Sequence, residues 1–207
     1  MPTLTIDVVS DLVCPWCFIG ARRLEQALAE MPEVEATVRH VPYLLDPDAS
    51  AEGGDLRERL RAKYRADPER MFATVEAAAR TSGIALDFSR VRRWSATVAG
   101  HTLLRHAEVL GTQRALGRAL YAAYFLEGRD VGDVDVLADV ASKHGFTEAE
   151  ARRIVGDRDE LAVTRREAAE VAAQGVSGVP FFVFGERFAA SGAQPVGVLR
   201  QAIARAL

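Results

Sequence analysis

Two cysteines separated by two residues, in Cys14-Pro15-Trp16-Cys17, constrain this chain more than anything else in it, and they are its only cysteines. They stand where a β-patterned run over 3–10 gives way to a helical pattern running to Glu30. Three residues along an α-helix separate Cα atoms by roughly 5 Å. That lies inside the window of about 4.4–6.8 Å in which a disulfide closes without strain. The sulfurs can therefore make and break a bond with little backbone motion. The helix start adds unpaired N–H groups and a partial positive charge, both favourable to an anion. Pro15 suits the first helical position because it has no N–H to lose. Cys14 is read as the nucleophile and Cys17, one turn further in, as the resolving thiol.

Three other readings compete. A structural disulfide normally joins distant segments, and this one would close a four-residue loop that adds little stability. A zinc site needs about four ligands. His101 and His106 are five residues apart, which on a helix turns the second about 140° from the first. Two inert core cysteines at this spacing by chance is the third. The redox reading leads, and no metal or bound cofactor is expected.

About half of the 207 residues are apolar, enough for a substantial core. The formal charge of −3 comes with no dominant Lys/Arg cluster, which argues against a nucleic-acid partner. No apolar stretch approaches the ~18 residues of a membrane span, and no leader pattern precedes the first strand. A cytoplasmic setting is expected, where disulfides are usually transient or catalytic.

The order of elements extends the argument. Strand 3–10, helix 14–30 and a strand over 34–45 make a β-α-β opening, with Met31-Pro32 stopping the helix. Residues 48–54 are small, acidic and glycine-bearing, like a linker. Helical periodicity follows over 55–66, 68–82, 88–110, 112–127, 133–144 and 147–156, with a capping box at Thr147-Glu148-Ala149-Glu150. About a hundred residues of helix is far longer than the usual crossover of a dozen or so. Asp157 caps a further helix to about Gln174. Two apolar runs, 181–184 and 187–190, flank a Gly185-Glu186 turn and read as a hairpin before a closing helix over 195–207. The expected class is α/β, with 1–47 and 157–207 forming one domain (βαβ…αββα) and 48–156 an inserted α-helical subdomain.

That order resembles the thioredoxin-like fold, and the insert resembles the DsbA-type branch of it. Asp11-Leu12-Val13-Cys14-Pro15-Trp16-Cys17-Phe18-Ile19-Gly20, Gly175-Val176-Ser177-Gly178-Val179-Pro180-Phe181-Phe182-Val183 and Ser191-Gly192-Ala193-Gln194-Pro195 resemble the FrnE-like group of DsbA-family oxidoreductases. The resemblance implies thiol–disulfide exchange, with Pro180 as the family's cis-proline facing the sulfurs. Such a bond turns the Val179 backbone outward to pair with a substrate strand; on the residues alone, Pro180 equally well opens an edge strand. Pro15 and Trp16 match the variable dipeptide that tunes redox poise, where a tenfold change in exchange equilibrium is about 30 mV. Trp16 is read as an exposed contact for substrate. In Ala96-Thr97-Val98-Ala99-Gly100-His101 the group's Asn and Ala are replaced, so His101 is read as a buried, hydrogen-bonded histidine. Asp11 is read as a helix cap.

The function expected is that of a dithiol–disulfide oxidoreductase, acting in a direction the sequence leaves open. Its partners are a protein or small-molecule disulfide or dithiol substrate and a recycling redox partner, with exchange with glutathione allowed. A second reading is a glutathione-dependent isomerase or transferase, like the 2-hydroxychromene-2-carboxylate isomerase and kappa-class relatives of the fold. Those resemble this chain in outline but carry Ser where Cys14 stands. A third is a non-catalytic chaperone or binding module, for which the two cysteines would be dispensable.

Overall fold

A computed structural model describes residues 3–207. Strand β1 (Thr3–Ser10) leads into helix α1 (Pro15–Ala29) and strand β2 (Glu35–Pro42). There follow β3 (Gly54–Asp55), α2 (Leu56–Tyr64), α3 (Pro68–Arg80), β4 (Arg93–Trp94), α4 (Val98–Val109) and α5 (Gln113–Phe125). Then come α6 (Val134–Ser142), α7 (Glu148–Gly156), α8 (Arg158–Ala173), β5 (Phe181–Phe184), β6 (Phe188–Ser191) and α9 (Val196–Ala206). The main sheet has the order β2-β1-β5-β6, with β1 parallel to β2 and antiparallel to β5, and β5 antiparallel to β6. This is the thioredoxin-like arrangement expected of the βαβ…αββα pattern. Among the described residues no helix is long and apolar enough to cross a membrane.

Alternation along β1 assigns the two faces of the sheet. Leu4, Ile6 and Val8 are buried together with Phe182 and Phe184 of β5, against Leu24 and Ala27 of α1 and Leu199 and Ile203 of α9. Thr5 and Asp7 face the other way, where Asp7 meets Arg39 of β2 in a bidentate pair at 2.6 and 2.9 Å. One side of the sheet is thus core, and the other carries polar cross-strand pairing. The edge of β2 is occupied by a side chain. Gln113 Oε1 accepts from His40 N at 2.8 Å, so the first residue of α5 stands in for a missing strand.

A second core lies among the helices and takes in the start of α1. Phe18 stacks on Tyr121 and Phe125 of α5, with centroids 5.5 and 5.7 Å apart. Leu12, Val13, Cys17 and Ile19 are buried in the same cluster as Leu103, Leu116 and Leu120. The turn carrying the cysteines is therefore packed between the sheet and the helical layer.

The capping signals read at Thr147 and Asp157 held. Thr147 and Glu150 form both halves of the capping box, and Asp157 accepts from Asp159 N and Glu160 N at the start of α8. The helix expected over 88–110 is corrected: it begins only at Val98. Tertiary bonds hold the segment before it. Arg93 and Trp94 pair with Gly54 and Asp55, Trp94 Nε1 donates to Asp46 at 3.0 Å, and Ser95 Oγ to Asp130 at 2.5 Å. The hairpin loop is also one residue longer than expected. Phe184 pairs with Phe188, so Gly185, Glu186 and Arg187 form the loop, with Arg187 N closing on Phe184 O. Glu186 takes a left-handed φ of 58° there.

Ile203, fully buried beneath the sheet and remote from the cysteines, isolates the sheet–α9 contact. Ile203→Ala is expected to lower unfolding free energy by about 2–5 kcal/mol. Urea titration should show a lower midpoint with an unchanged slope, and thiol chemistry of the folded fraction should be unaltered.

Candidate active site

Cys14 is the N-cap of α1, with extended backbone angles, and its carbonyl accepts from Cys17 N at 3.0 Å and Phe18 N at 3.3 Å. Pro15 takes the first helical position, as expected. Both cysteines are free thiols. The Cys14 thiol donates to the carbonyl oxygen of Val179 across 3.7 Å, joining two segments 165 residues apart. The Val179–Pro180 peptide is cis. Sequence reasoning therefore put the right segments together: the Cys-x-x-Cys turn faces the Val-Pro loop.

It overestimated how open they are. Cys14 is 5% exposed and Cys17 is wholly buried. Cys14 faces the Val179 carbonyl and packs in the helical core cluster, and Cys17 is buried in the same cluster. Burial pushes the Cys17 thiol up from its ordinary range, and the hydrogen bond and negative charge of neighbouring Cys14 push it further. Trp16 is 36% exposed beside this recess, in keeping with the surface reading. Tyr64, at the end of α2, is half exposed. Partial burial raises its hydroxyl, and charge at Cys14 and Asp11 adds to that.

Asp11 does not cap α1, contrary to the sequence reading: Cys14 receives no side-chain cap. Its carboxylate points inward instead. Oδ2 accepts from Leu45 N at 2.7 Å, and Oδ1 lies 3.4 Å from His101 Nε2, both side chains being buried. The Asp11 carbonyl accepts from Cys14 N at 3.0 Å and from the Tyr121 hydroxyl at 3.5 Å. His101 is thus a hydrogen-bonded core histidine, as expected, while His106 turns to Glu160 at 3.0 Å. The carboxylate ties the loop after β2 and helix α4 to the turn before Cys14, which a solvent-facing cap could not do.

Sequence reasoning missed three contributors. An added Cβ on Gly20 would stand 2.9 Å from Pro180 Cγ and 3.1 Å from Phe182 Cζ, so only glycine lets α1 approach the proline loop this closely. Gly192 N donates to Pro180 O at 2.8 Å, bringing the third motif onto the second. Arg23 of α1 donates to Ala193 O at 2.5 Å and to Ser82 Oγ at 2.8 Å, fastening that loop to the helix. Gly20 and Gly192 lay inside the motifs that carry the family resemblance, and that placement was the available signal. Arg23 had none.

With this geometry in hand, comparison with known proteins is decisive at the level of family. The DSBA-like thioredoxin domain matches residues 5–204. The chain belongs to that family. A probable DsbA oxidoreductase from Streptomyces coelicolor, SCO1869, is 32% identical, with a TM-score of 0.86 over 98% of this chain and 89% of its own. A 2-hydroxychromene-2-carboxylate isomerase shares the fold at 16% identity and a TM-score of 0.74, covering 97% of this chain and 95% of that one. The cytosolic disulfide reductase DsbM from Pseudomonas aeruginosa, solved with GSH, does so at 19% identity and a TM-score of 0.64, covering 97% and 98%. A DSBA-like fold thus accommodates more than one named activity.

Two outcomes follow for the DSBA-like site. Gly20→Ala should cost about 1–3 kcal/mol by overpacking against Pro180 and slow reaction of Cys14 with a disulfide reagent; urea titration and stopped-flow measure the two. Cys17 keeps its proton in the folded chain at a pH where the unfolded thiol, near ~8.5, has lost it, so stability falls as pH rises. Urea midpoints of the reduced protein should drop more steeply above about pH 8.5 than those of Cys17→Ala, because only the former carries this linkage.

Proposed function

We propose that this DSBA-like protein is a thiol–disulfide oxidoreductase whose working couple is Cys14 and Cys17. The single observation that carries the reading is the Cys14 thiol at the cap of α1, facing the Val179 carbonyl across 3.7 Å with Cys17 buried one turn behind it. In the reducing direction Cys14 thiolate attacks one sulfur of a substrate disulfide. A mixed disulfide forms and the other substrate sulfur leaves as thiolate. Cys17, deprotonated as it approaches, attacks Cys14 Sγ, closes the intramolecular disulfide and expels the second substrate thiolate. Two electrons pass to the substrate and two protons leave the dithiol. The reverse sequence donates a disulfide.

The roles divide by position. Cys14 has the α1 N-terminus behind it, where partial positive charge faces the sulfur on which negative charge develops. Cys17 is held protonated first by its burial and then by the hydrogen bond and charge of Cys14, and a mixed disulfide at Cys14 removes that charge. Pro180 and Val179 flank the sulfur, and the Val179 backbone is the element we assign to pairing with an extended substrate segment. Pro15 fixes the helix start. Trp16 supplies exposed aromatic surface for substrate contact. We assign residues 48–156 to an inserted subdomain that roofs this turn. A thiol-reducing compartment such as the cytoplasm is the setting we propose, with glutathione or a protein dithiol recycling the couple.

The test is a pair of variants, Cys14→Ser and Cys17→Ser, assayed by insulin reduction and by refolding of scrambled ribonuclease. Cys14→Ser should fall to background, and Cys17→Ser should accumulate mixed disulfides with substrate on non-reducing gels. Full activity in both variants would instead assign the protein to a binding or chaperone role.

A further inference from the structure

A cleft of about 420 Å³ opens on the far side of α1 from the proline loop, between that helix, α5 and the β1–β2 end of the sheet. Its size lies toward the lower end of the ~300–1,000 Å³ typical of small-molecule sites. None of Cys14, Trp16, Val179 or Pro180 lines it. Its walls are apolar, among them Val8, Phe18, Val38, Ala119 and Leu126. Its rim is not. Arg22 of α1 and Arg114 and Arg118 of α5 gather around one carboxylate, Glu25, at 3.4, 4.0 and 3.8 Å. Three guanidiniums share a single partly buried anion, and only the Arg22 contact is a hydrogen bond. The rim thus carries positive charge in excess of what it neutralises. Cationic arginine forks at the mouth of an apolar recess match a carboxylate head on an apolar body.

The sheet wall supplies a second, independent sign. His40 lines the cleft, and its Nδ1 is buried without a hydrogen-bond partner among the described residues. The ring is admitted there because Gly117 of α5 has no side chain: a Cβ would stand 3.1 Å from His40 Cε1. Burial, with the charges of His101 and Arg114 adding, pushes His40 down to about 4. It is therefore a neutral imidazole at ordinary pH, able to donate or accept a hydrogen bond. An unpartnered buried ring nitrogen is uncommon unless something else satisfies it.

We infer that this cleft binds a small anionic amphiphile, a monocarboxylate with a compact apolar body, its head at Arg114 and Arg118 and its body against Ala119 and Val38. The apolar wall gives affinity, the guanidiniums select the anion, and His40 offers a hydrogen bond to a polar atom within the body. This site is separate from the dithiol and stands or falls independently of the redox reading.

The experiment titrates the full-length reduced chain with octanoate, octylamine and octan-1-ol, followed by amide chemical shifts. Octanoate should bind at one saturable site, shifting Arg22, His40 and Ala119, and at least tenfold more tightly than either comparison compound. Arg114→Gln combined with Arg118→Gln, on the exposed rim, should weaken octanoate at least tenfold. Ala119→Trp should fill the cleft and abolish binding while leaving insulin reduction unchanged. Octylamine binding as well as octanoate, unchanged affinity in the double arginine variant, or shifts mapping away from the cleft would each overturn the assignment. So would no saturation by about 10 mM.

Discussion

The first two turns of α1 are held from both sides, and the rest of the molecule depends on that grip. On one side Phe18 lies on the aromatic pair Tyr121 and Phe125 of α5. On the other Gly20 lets the helix settle against Pro180 and Phe182 at a distance no side chain would permit. Stacked rings and a bare backbone contact are both short-range, so neither tolerates a shift of the helix. The sulfur at its cap inherits that fixity. Its position relative to the Val179 carbonyl is set by sheet packing behind it and by the helical layer in front.

Polar groups complete the frame where apolar packing cannot. The Asp11 carboxylate serves Leu45 N and His101 in the interior, and its own carbonyl receives Cys14 N. A buried carboxylate is costly unless its lone pairs are used, and here the donors come from the chain that leaves β2 and from α4. Arg23 does the corresponding service on the opposite flank, joining α1 to Ala193 and Ser82. The two sets of bonds draw the cysteine turn, the proline loop and the loop before α9 into one unit, although those segments are far apart in sequence.

The residues differ in how legible they were. The β-α-β opening, the long helical stretch and the closing αββα order followed from periodicity and punctuation, because those signals are local. Pro15, the Thr147–Glu150 box and Asp157 kept their capping roles for the same reason. The helical reading of 88–97 failed because periodicity cannot register a two-residue bridge to Gly54–Asp55 or the bonds of Trp94 and Ser95 to distant carboxylates. Asp11 failed likewise: a carboxylate before a helix is locally indistinguishable from a cap, and only the partner 90 residues away turns it inward. At the site, the dithiol and Pro180 were readable from spacing together with family resemblance, whereas the depth of Cys14 was not. Depth is a property of what closes over a residue, and here the covering comes from residues far along the chain.

That depth carries a consequence for what the sulfur can meet. In the role we propose for it, Cys14 is a nucleophile recessed to 5% exposure beside the Val179 carbonyl, which leaves little of its sulfur open to approach. Disulfide exchange needs three sulfurs nearly collinear, so an incoming bond must thread into the recess end-on. On that proposed role, a disulfide rigidly seated in a folded domain would fit poorly, whereas one in a slack chain or a small disulfide compound would fit. On the proposed function the recess would act as a sieve, sorting candidates by pliancy before any contact at the surface could sort them by affinity.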